Sequence, residues 1–338
     1  MPALSSRPRL PVRFVAFALL LAASGAAPAQ EPRSRDEDAV TVSALRDPVD
    51  KPYRRMVEGM ALFERRRALA PEAELRFRLL PRNRATRMEA VELEVVGDSF
   101  AAPVALAPDH TFALEREPRA LKENASVRPN RRAGTLTWRA EIRTPGLPPG
   151  TRRLGDLRLE CEVGMQSGLI SNYRPFLLGL LDPFLREGPE YCHRAAPRYL
   201  FFADFPVWTV TLRSGERNEV VPVDLLYGGA SRDPKWKQDL PYCDCEVLMD
   251  RAYFLPLGDP SWPDDTRVTF EFMPGAEGET GKAEVRAALG EAIAIDFDSG
   301  YEVWVYRDRL PDPSPPPARS ELVLLFTPSG LLAKSRIR

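Results

Sequence analysis

Leu75-Arg76-Phe77-Arg78-Leu79 and, further along, Val91-Glu92-Leu93-Glu94-Val95 set an apolar side chain at every second position with charged residues between. An extended chain turns successive side chains to opposite faces, so a period of two makes each run a strand with one buried and one wet face. Working outward, residues 111–114, 135–142 around Trp138 and 157–163 read as further strands. Pro-, Gly- and Asn-containing turns separate them. Upstream the period changes. Asp50 stands where a helix cap would, Pro52 suits a first turn, and Tyr53, Met56, Val57, Met60 and Phe63 then fall on one helical face. The Glu64-Arg65-Arg66-Arg67 run places cations in the last turn, where the helix dipole favours them.

The N-terminus has another character. Arg7, Arg9 and Arg13 flank an apolar run, Phe14 to Ala23, far shorter than the roughly 20 residues of a membrane span. Ala27-Pro28-Ala29 supplies the small residues a signal peptidase reads. The expectation is a signal peptide over 1–29 with the mature chain starting at Gln30, followed by a polar, flexible lead over 30–49. No stretch after Gln30 matches a spanning helix, so the reading is a periplasmic or secreted protein with no transmembrane span.

Residues 164–196 break the alternation and include Pro175-Phe176-Leu177-Leu178-Gly179-Leu180-Leu181, read as an apolar connector. From 197 a second β region follows, with strands expected at 199–202, 207–212, 220–226, 246–249, 267–272, 292–297, 302–306 and 322–326. A last strand runs through Ile337. A helix is expected at 282–289, and 312–317 is a Pro-rich loop. The 34 prolines fit many short strands joined by turns, because Pro is excluded from helix interiors and central strands. The fold class expected is therefore mainly β: two β-sandwich-like domains, 50–163 with one N-terminal amphipathic helix and 197–338, joined by the connector.

Leu93 to Val95, Pro103 to Leu106 and Asp109-His110-Thr111-Phe112-Ala113-Leu114 carry a resemblance. Over residues 75–163 this extended-turn-extended pattern resembles the transthyretin-like and carboxypeptidase-regulatory β-sandwich modules, with His110 where such modules usually have Gly. The resemblance implies a sandwich fold and an accessory role of binding or bracing.

Charge separates two regions. Residues 65–160 carry 19 Lys and Arg against 13 Asp and Glu, whereas 161–338 carry 19 against 27. The basic half could meet an anionic partner such as a lipid head group or polysaccharide, or the two halves could simply differ in surface charge. Nothing in this balance points to nucleic acid.

Four cysteines in an exported chain suggest two disulfides. Cys243 and Cys245, if extended, stand about 6.6 Å apart with parallel side chains, at the limit for a bridge. Each is therefore expected to pair with Cys161 or Cys192. The alternative is a soft ligand set, Cys192, His193, Cys243 and Cys245, for copper(I) or zinc, which needs free thiols. No cofactor is otherwise implied. With two histidines, His110 and His193, most zinc-hydrolase and Ser-His-Asp arrangements are excluded.

Carboxylates remain as catalytic groups. Asp244, Asp250, Asp264, Asp265, Asp296 and Asp298 would form a glycosidase-like pair if two converge across a cleft. For binding, Tyr227, Trp236, Trp262, Asp264 and Asp265 lie in the most distinctive loops, where Trp with nearby Asp can hold a sugar ring by stacking and hydrogen bonds. The functional expectation is an exported, non-catalytic protein that binds or braces an envelope component: polysaccharide, lipid head group or protein. A carboxylate-dependent hydrolase on the second-region loops is one alternative, and a Cys-based metal or thiol protein the other.

Overall fold

The computed structural model describes residues 50–170, 188–194, 199–230, 247–274, 278–307 and 321–338. The expected signal peptide and lead, the apolar run beginning at Pro175, Trp236, Cys243, Asp244, Cys245 and the Pro-rich loop lie outside them. The protein is mostly β, with its strands in several antiparallel sheets.

The first part begins with β1 (Lys51–Pro52) and α1 (Tyr53–Arg65), followed by β2 (Glu74–Pro81), β3 (Leu93–Val96), β4 (Ala101–Val104) and β5 (Thr111–Phe112). A short α2 (Pro118–Lys122), β6 (Ser126–Pro129), β7 (Leu136–Arg143) and β8 (Thr151–Arg153) complete it. Asp50 does not cap α1. Pro52 occupies the cap position because Lys51 and Pro52 are drawn into a ladder with β6, and the Asp50 carboxylate accepts from Arg128 at 2.9 Å.

One sheet runs β1-β6-β3-β4 and a second β5-β2-β7. Between them lies a core of Tyr53, Met56, Phe77, Phe112 and Trp138 with their neighbours. The Phe112 ring meets Trp138 edge-on at 6.0 Å, the arrangement aromatic quadrupoles favour. Strand β7 is buried on both faces. Leu136, Trp138, Ala140 and Ile142 fill this core, while Thr137, Arg139 and Glu141 point the other way and are buried too.

Residues 157–163 form no strand; they belong to α3 (Leu154–Gln166). The misreading has a physical cause. Leu159 and Val163 enter the first core, while Leu154, Leu157 and Cys161 enter a second. A helix wrapped by core on several sides has no polar stripe, so its sequence shows no helical period.

The second core draws on β9 (Phe201–Phe202), β10 (Val207–Ser214), β12 (Ala252–Tyr253) and β13 (Arg267–Phe272), with β11 (Arg217–Val220) on the edge of the sheet. The order β11-β10-β13-β8 shows that β8 joins this second sheet, Arg153 opposite Arg267. The strand expected over 220–226 ends at Val220, and 3-10 turns follow at Val223–Leu225 and Tyr227–Gly229. Of the strand expected over 246–249, residues 247–249 form none: Leu248 turns the chain with a left-handed backbone and Met249 opens a 3-10 turn, Met249–Arg251. Helix α4 (Lys282–Leu289), β14 (Ile293–Asp296), β15 (Glu302–Arg307), β16 (Glu321–Phe326) and β17 (Leu332–Ile337) close the chain as a β14-β15-β16-β17 meander. Val303, Val305, Val323 and Leu325 face the second core, while Trp304, Tyr306, Leu324 and Phe326 pack with Val285 of α4.

The disulfide joins Cys161 to Cys192, with Cα atoms 6.0 Å apart. This corrects the expectation that each would take a partner from Cys243 and Cys245. The helix carries Cys161 against the 3-10 turn at Pro189–His193, a proximity invisible while 157–163 is read as a strand. The bond spans a sequence separation of 31, and closing a loop of that length in the unfolded chain stabilises the fold by about 3–4 kcal/mol.

Candidate functional site: a cleft with two carboxylates

Three segments far apart in sequence line a cleft of about 660 Å³: the chain after β2 at Asn83 and Arg84, the bend at Leu248 to Arg251, and the β14–β15 turn at Asp298 and Ser299. The last of these is a tight turn, Phe297-Asp298-Ser299-Gly300, closed by Gly300 N–H donating to Phe297 O at 3.0 Å. Gly300 has φ +83°, the left-handed region that glycine enters without strain.

Asp250 is buried, only 5 % exposed. Burial pushes its carboxyl above the usual carboxylate range, against the opposing influence of a Ser299 hydrogen bond and the Arg251 charge, and the nearby Asp298 charge adds to the rise. Asp298 is partly exposed and ion-paired with Arg84. The cleft thus holds one carboxyl biased toward its protonated form and one paired to a cation. Asp250 can donate a proton or hydrogen bond while Asp298 accepts.

Backbone strain lies in one wall of this cleft, at Leu248, and at Tyr227, which packs against the lining residue Phe297. Leu248 has φ +63° and Tyr227 φ +54°, a region costing bulky L-residues on the order of 1–3 kcal/mol and concentrated at functional sites. Tyr227 is fully buried, and its ring packs at 5.0 Å from Phe297, at the floor of the cleft. Arg251, on the same bend, donates from Nη1 to Asp204 O at 2.7 Å.

The residues singled out for binding are placed elsewhere. Tyr227 supports the cleft from beneath and offers no open face. Trp262 is 2 % exposed, and the Arg217 guanidinium covers its ring at 3.5 Å. The loop around it is held by Arg158 of α3. Arg158 donates to Leu257 O at 2.8 Å, to Asp259 O and Trp262 O at 2.9 Å, and to the Asp264 carboxylate. Asp264 therefore anchors its loop to the helix, while Asp265 is exposed beside it. Trp236 lies outside the described residues. Asp296, raised by burial and by Glu302, sits on the exposed face of β14.

Sequence reasoning included Asp250 and Asp298 among six carboxylates but missed Arg84, Arg158 and Arg217. The one signal pointing to the arginines was the basic excess of 65–160, which supplies Arg84 and Arg158 to acidic partners in the second half.

The soft-ligand set loses Cys192, while Cys243 and Cys245 lie outside the described residues. Cys192 is bonded to Cys161 and has no thiolate to offer, and His193 Nε2 lies 3.2 Å from Glu162. Among the described residues no group of three or more His, Cys, Asp or Glu is placed to hold a metal ion. No protein-family model, no curated protein and no solved structure matches this chain.

Proposed function

We propose that this chain is an exported binding protein, periplasmic or secreted, that holds a hydroxyl-rich envelope component, a polysaccharide fragment, in the cleft between Asp250 and Asp298. The observation that carries the reading is the convergence of these two carboxylates with Arg84 in one cleft. Sugar hydroxyls are both donors and acceptors, and a carboxylate, a carboxyl and a guanidinium together serve both. Export is supported by the signal-peptide pattern over 1–29 and by the Cys161–Cys192 bond, which belongs to an oxidising compartment. Among the described residues no helix is long and apolar enough to cross a membrane. The two-sandwich organisation is supported by the two hydrophobic cores that flank α3.

A second reading, a carboxylate-dependent glycoside hydrolase, is favoured by one specific observation: the environment of Asp250 biases it toward the acid while Asp298 stands against a cation. Environments that differ in this way are how two carboxyls divide acid and base roles.

One experiment separates the readings. The purified full chain is incubated with fragmented envelope polysaccharide, and both retention and new reducing ends are measured for wild type, Asp250→Asn and Asp298→Asn. Retention lost in both variants, with no reducing ends formed, supports the binder. Reducing ends that vanish in Asp250→Asn support the hydrolase. Neither retention nor cleavage by the wild type would sink both readings.

A further inference from the structure

A second concavity, about 600 Å³, lies away from the cleft, between the sheet of β10 and β11 and the outer strand β17. Strand β17 carries Lys334 and Arg336 at alternate positions, so these two cations share one face, and Arg338 follows just beyond its end; all three line the concavity. Lys334 is engaged. Its Nζ donates to Glu271 Oε1 at 2.8 Å and to Phe272 O at 2.7 Å, fastening β17 across β13.

Arg336 is different. Its guanidinium carbon sits 5.3 Å over the Trp208 ring, a cation–π contact that orients the group without using its N–H donors. Its Nη1 is buried from solvent and has no hydrogen-bond partner among the described residues. The two carboxylates lining the concavity are engaged elsewhere: Glu271 by Lys334, and Glu321 by Arg307 Nε at 3.1 Å. Burial pulls the Arg336 guanidinium below its ordinary value and the neighbouring Arg338 charge adds to the fall, while Tyr227, Glu321 and Glu271 oppose it. A buried, unsatisfied guanidinium donor is costly to leave unmade and is the group best shaped for an oxyanion.

We propose that this groove binds an oxyanion, a carboxylate or phosphate on a small ligand, with Arg336 Nη1 as the primary donor. The rest of the lining fits a ligand with hydroxyls and an apolar side, because Thr209 and Thr211 stand beside Val221 and Val323. Arg338, at the open end, adds a second positive charge. The site is independent of the cleft at Asp250 and stands or falls without it.

The test is titration calorimetry on the full chain at low ionic strength with three probes: sodium glucuronate, inorganic phosphate and glucose. Glucuronate or phosphate is expected to bind at a single site and glucose not at all, with affinity falling at least tenfold in Arg336→Gln. Binding of glucuronate alone identifies carboxylated sugars as the ligand class, whereas phosphate binding as tight or tighter identifies phosphate-bearing ligands. If Arg336→Gln does not fold, the Trp208 indole N–H resonance of the wild type carries the test, since it must shift with the binding anion and not with glucose. No binding of either anion by the wild type, an unmoved Trp208 resonance, or an affinity unchanged by Arg336→Gln would overturn the proposal.

Discussion

Asp250 shows how a single residue can sit in tension with its fold. Its carboxyl is buried beside another acid, so its ionised form is disfavoured in the native state relative to the unfolded chain. A raised native value means that Asp250 contributes stability below its ordinary range, and that this contribution is lost as pH rises through the raised value. Asp250→Asn keeps the shape and the Ser299 partner but removes the charge. It should therefore be more stable than wild type at pH 7.5, by about 0.5–2 kcal/mol in urea unfolding, while losing the polysaccharide retention assigned to the cleft. The stability gain should shrink at pH 5. A variant less stable than wild type at pH 7.5 would mean the Asp250 carboxylate is a structural asset. Asp250 and Asp298 were legible as acids worth watching, because little else in a chain with two histidines can move a proton. Their convergence was not legible. It depends on left-handed Leu248 and on the Phe297–Gly300 turn bringing two distant segments to the chain after β2, and no local pattern encodes that meeting.

At the scale of elements, α3 is the piece on which most of the reading turned. Its N-terminus is clamped between two other parts of the chain: Gly155 N–H donates to Asp264 O at 2.8 Å, and a Cβ on Gly155 would come to 2.1 Å from Leu69 O and 3.0 Å from Asp264 Cβ. Intrinsic propensity favours Ala over Gly in a helix interior by about 1 kcal/mol, and by less in a first turn. The contact with Leu69 O is to backbone and cannot be relieved by a rotamer, so it outweighs that gain. Gly155→Ala should destabilise the protein by about 1–3 kcal/mol, read as a lowered urea midpoint with an unchanged slope; a midpoint equal to or above wild type would show that α3 can back away from its neighbours. The strands 75–79, 267–272 and 302–306 were legible because each has one wet face, or a run of β-branched and aromatic residues between turn signals. Helix α3 was not, since burial on opposite sides erased its period. The cysteine pairing depends on the same helix, which alone brings Cys161 to Cys192.

For the whole molecule, the split between a basic first half and an acidic second half is partly an internal matter. Arg78 and Arg143 both bond Asp204, Arg84 pairs with Asp298, and Arg158 with Asp264, each ion pair joining the two halves. The sequence could show the asymmetry but not its destination, because the destination is the contact between the halves. Within the first half lies a buried set. Glu160 accepts from Arg152 Nη2 at 2.7 Å and from Ile142 N–H at 3.1 Å. Burial pushes Glu160 up to about 7, Arg152 opposes the rise and Glu141 adds to it. A buried pair of this kind need not favour the charged state, since desolvation can exceed the attraction. Burial also opposes ionisation of Asp204, but its bonds to Arg143 and Arg78 win and hold it below the usual range. The two groups therefore have opposite signs. Between the ordinary Glu value, about 4.3, and pH 7, native Glu160 keeps a proton that the unfolded chain has released, so its contribution is full at the acid end and lost as pH rises through about 7. Asp204 contributes above the ordinary Asp value and loses that contribution as pH falls through its lowered one. Stability should peak near pH 5, falling by about 1–3 kcal/mol toward pH 7.5 and more steeply below about pH 3.5. Urea midpoints across pH 3–8 measure the profile. Glu160→Gln should flatten its neutral limb whatever it does to the absolute stability, because Gln has no proton to release. A wild-type midpoint that is flat or rising from pH 5 to 7.5, or a neutral limb unchanged in Glu160→Gln, would show that Glu160 is ionised throughout that range and that Arg152 fully offsets its burial.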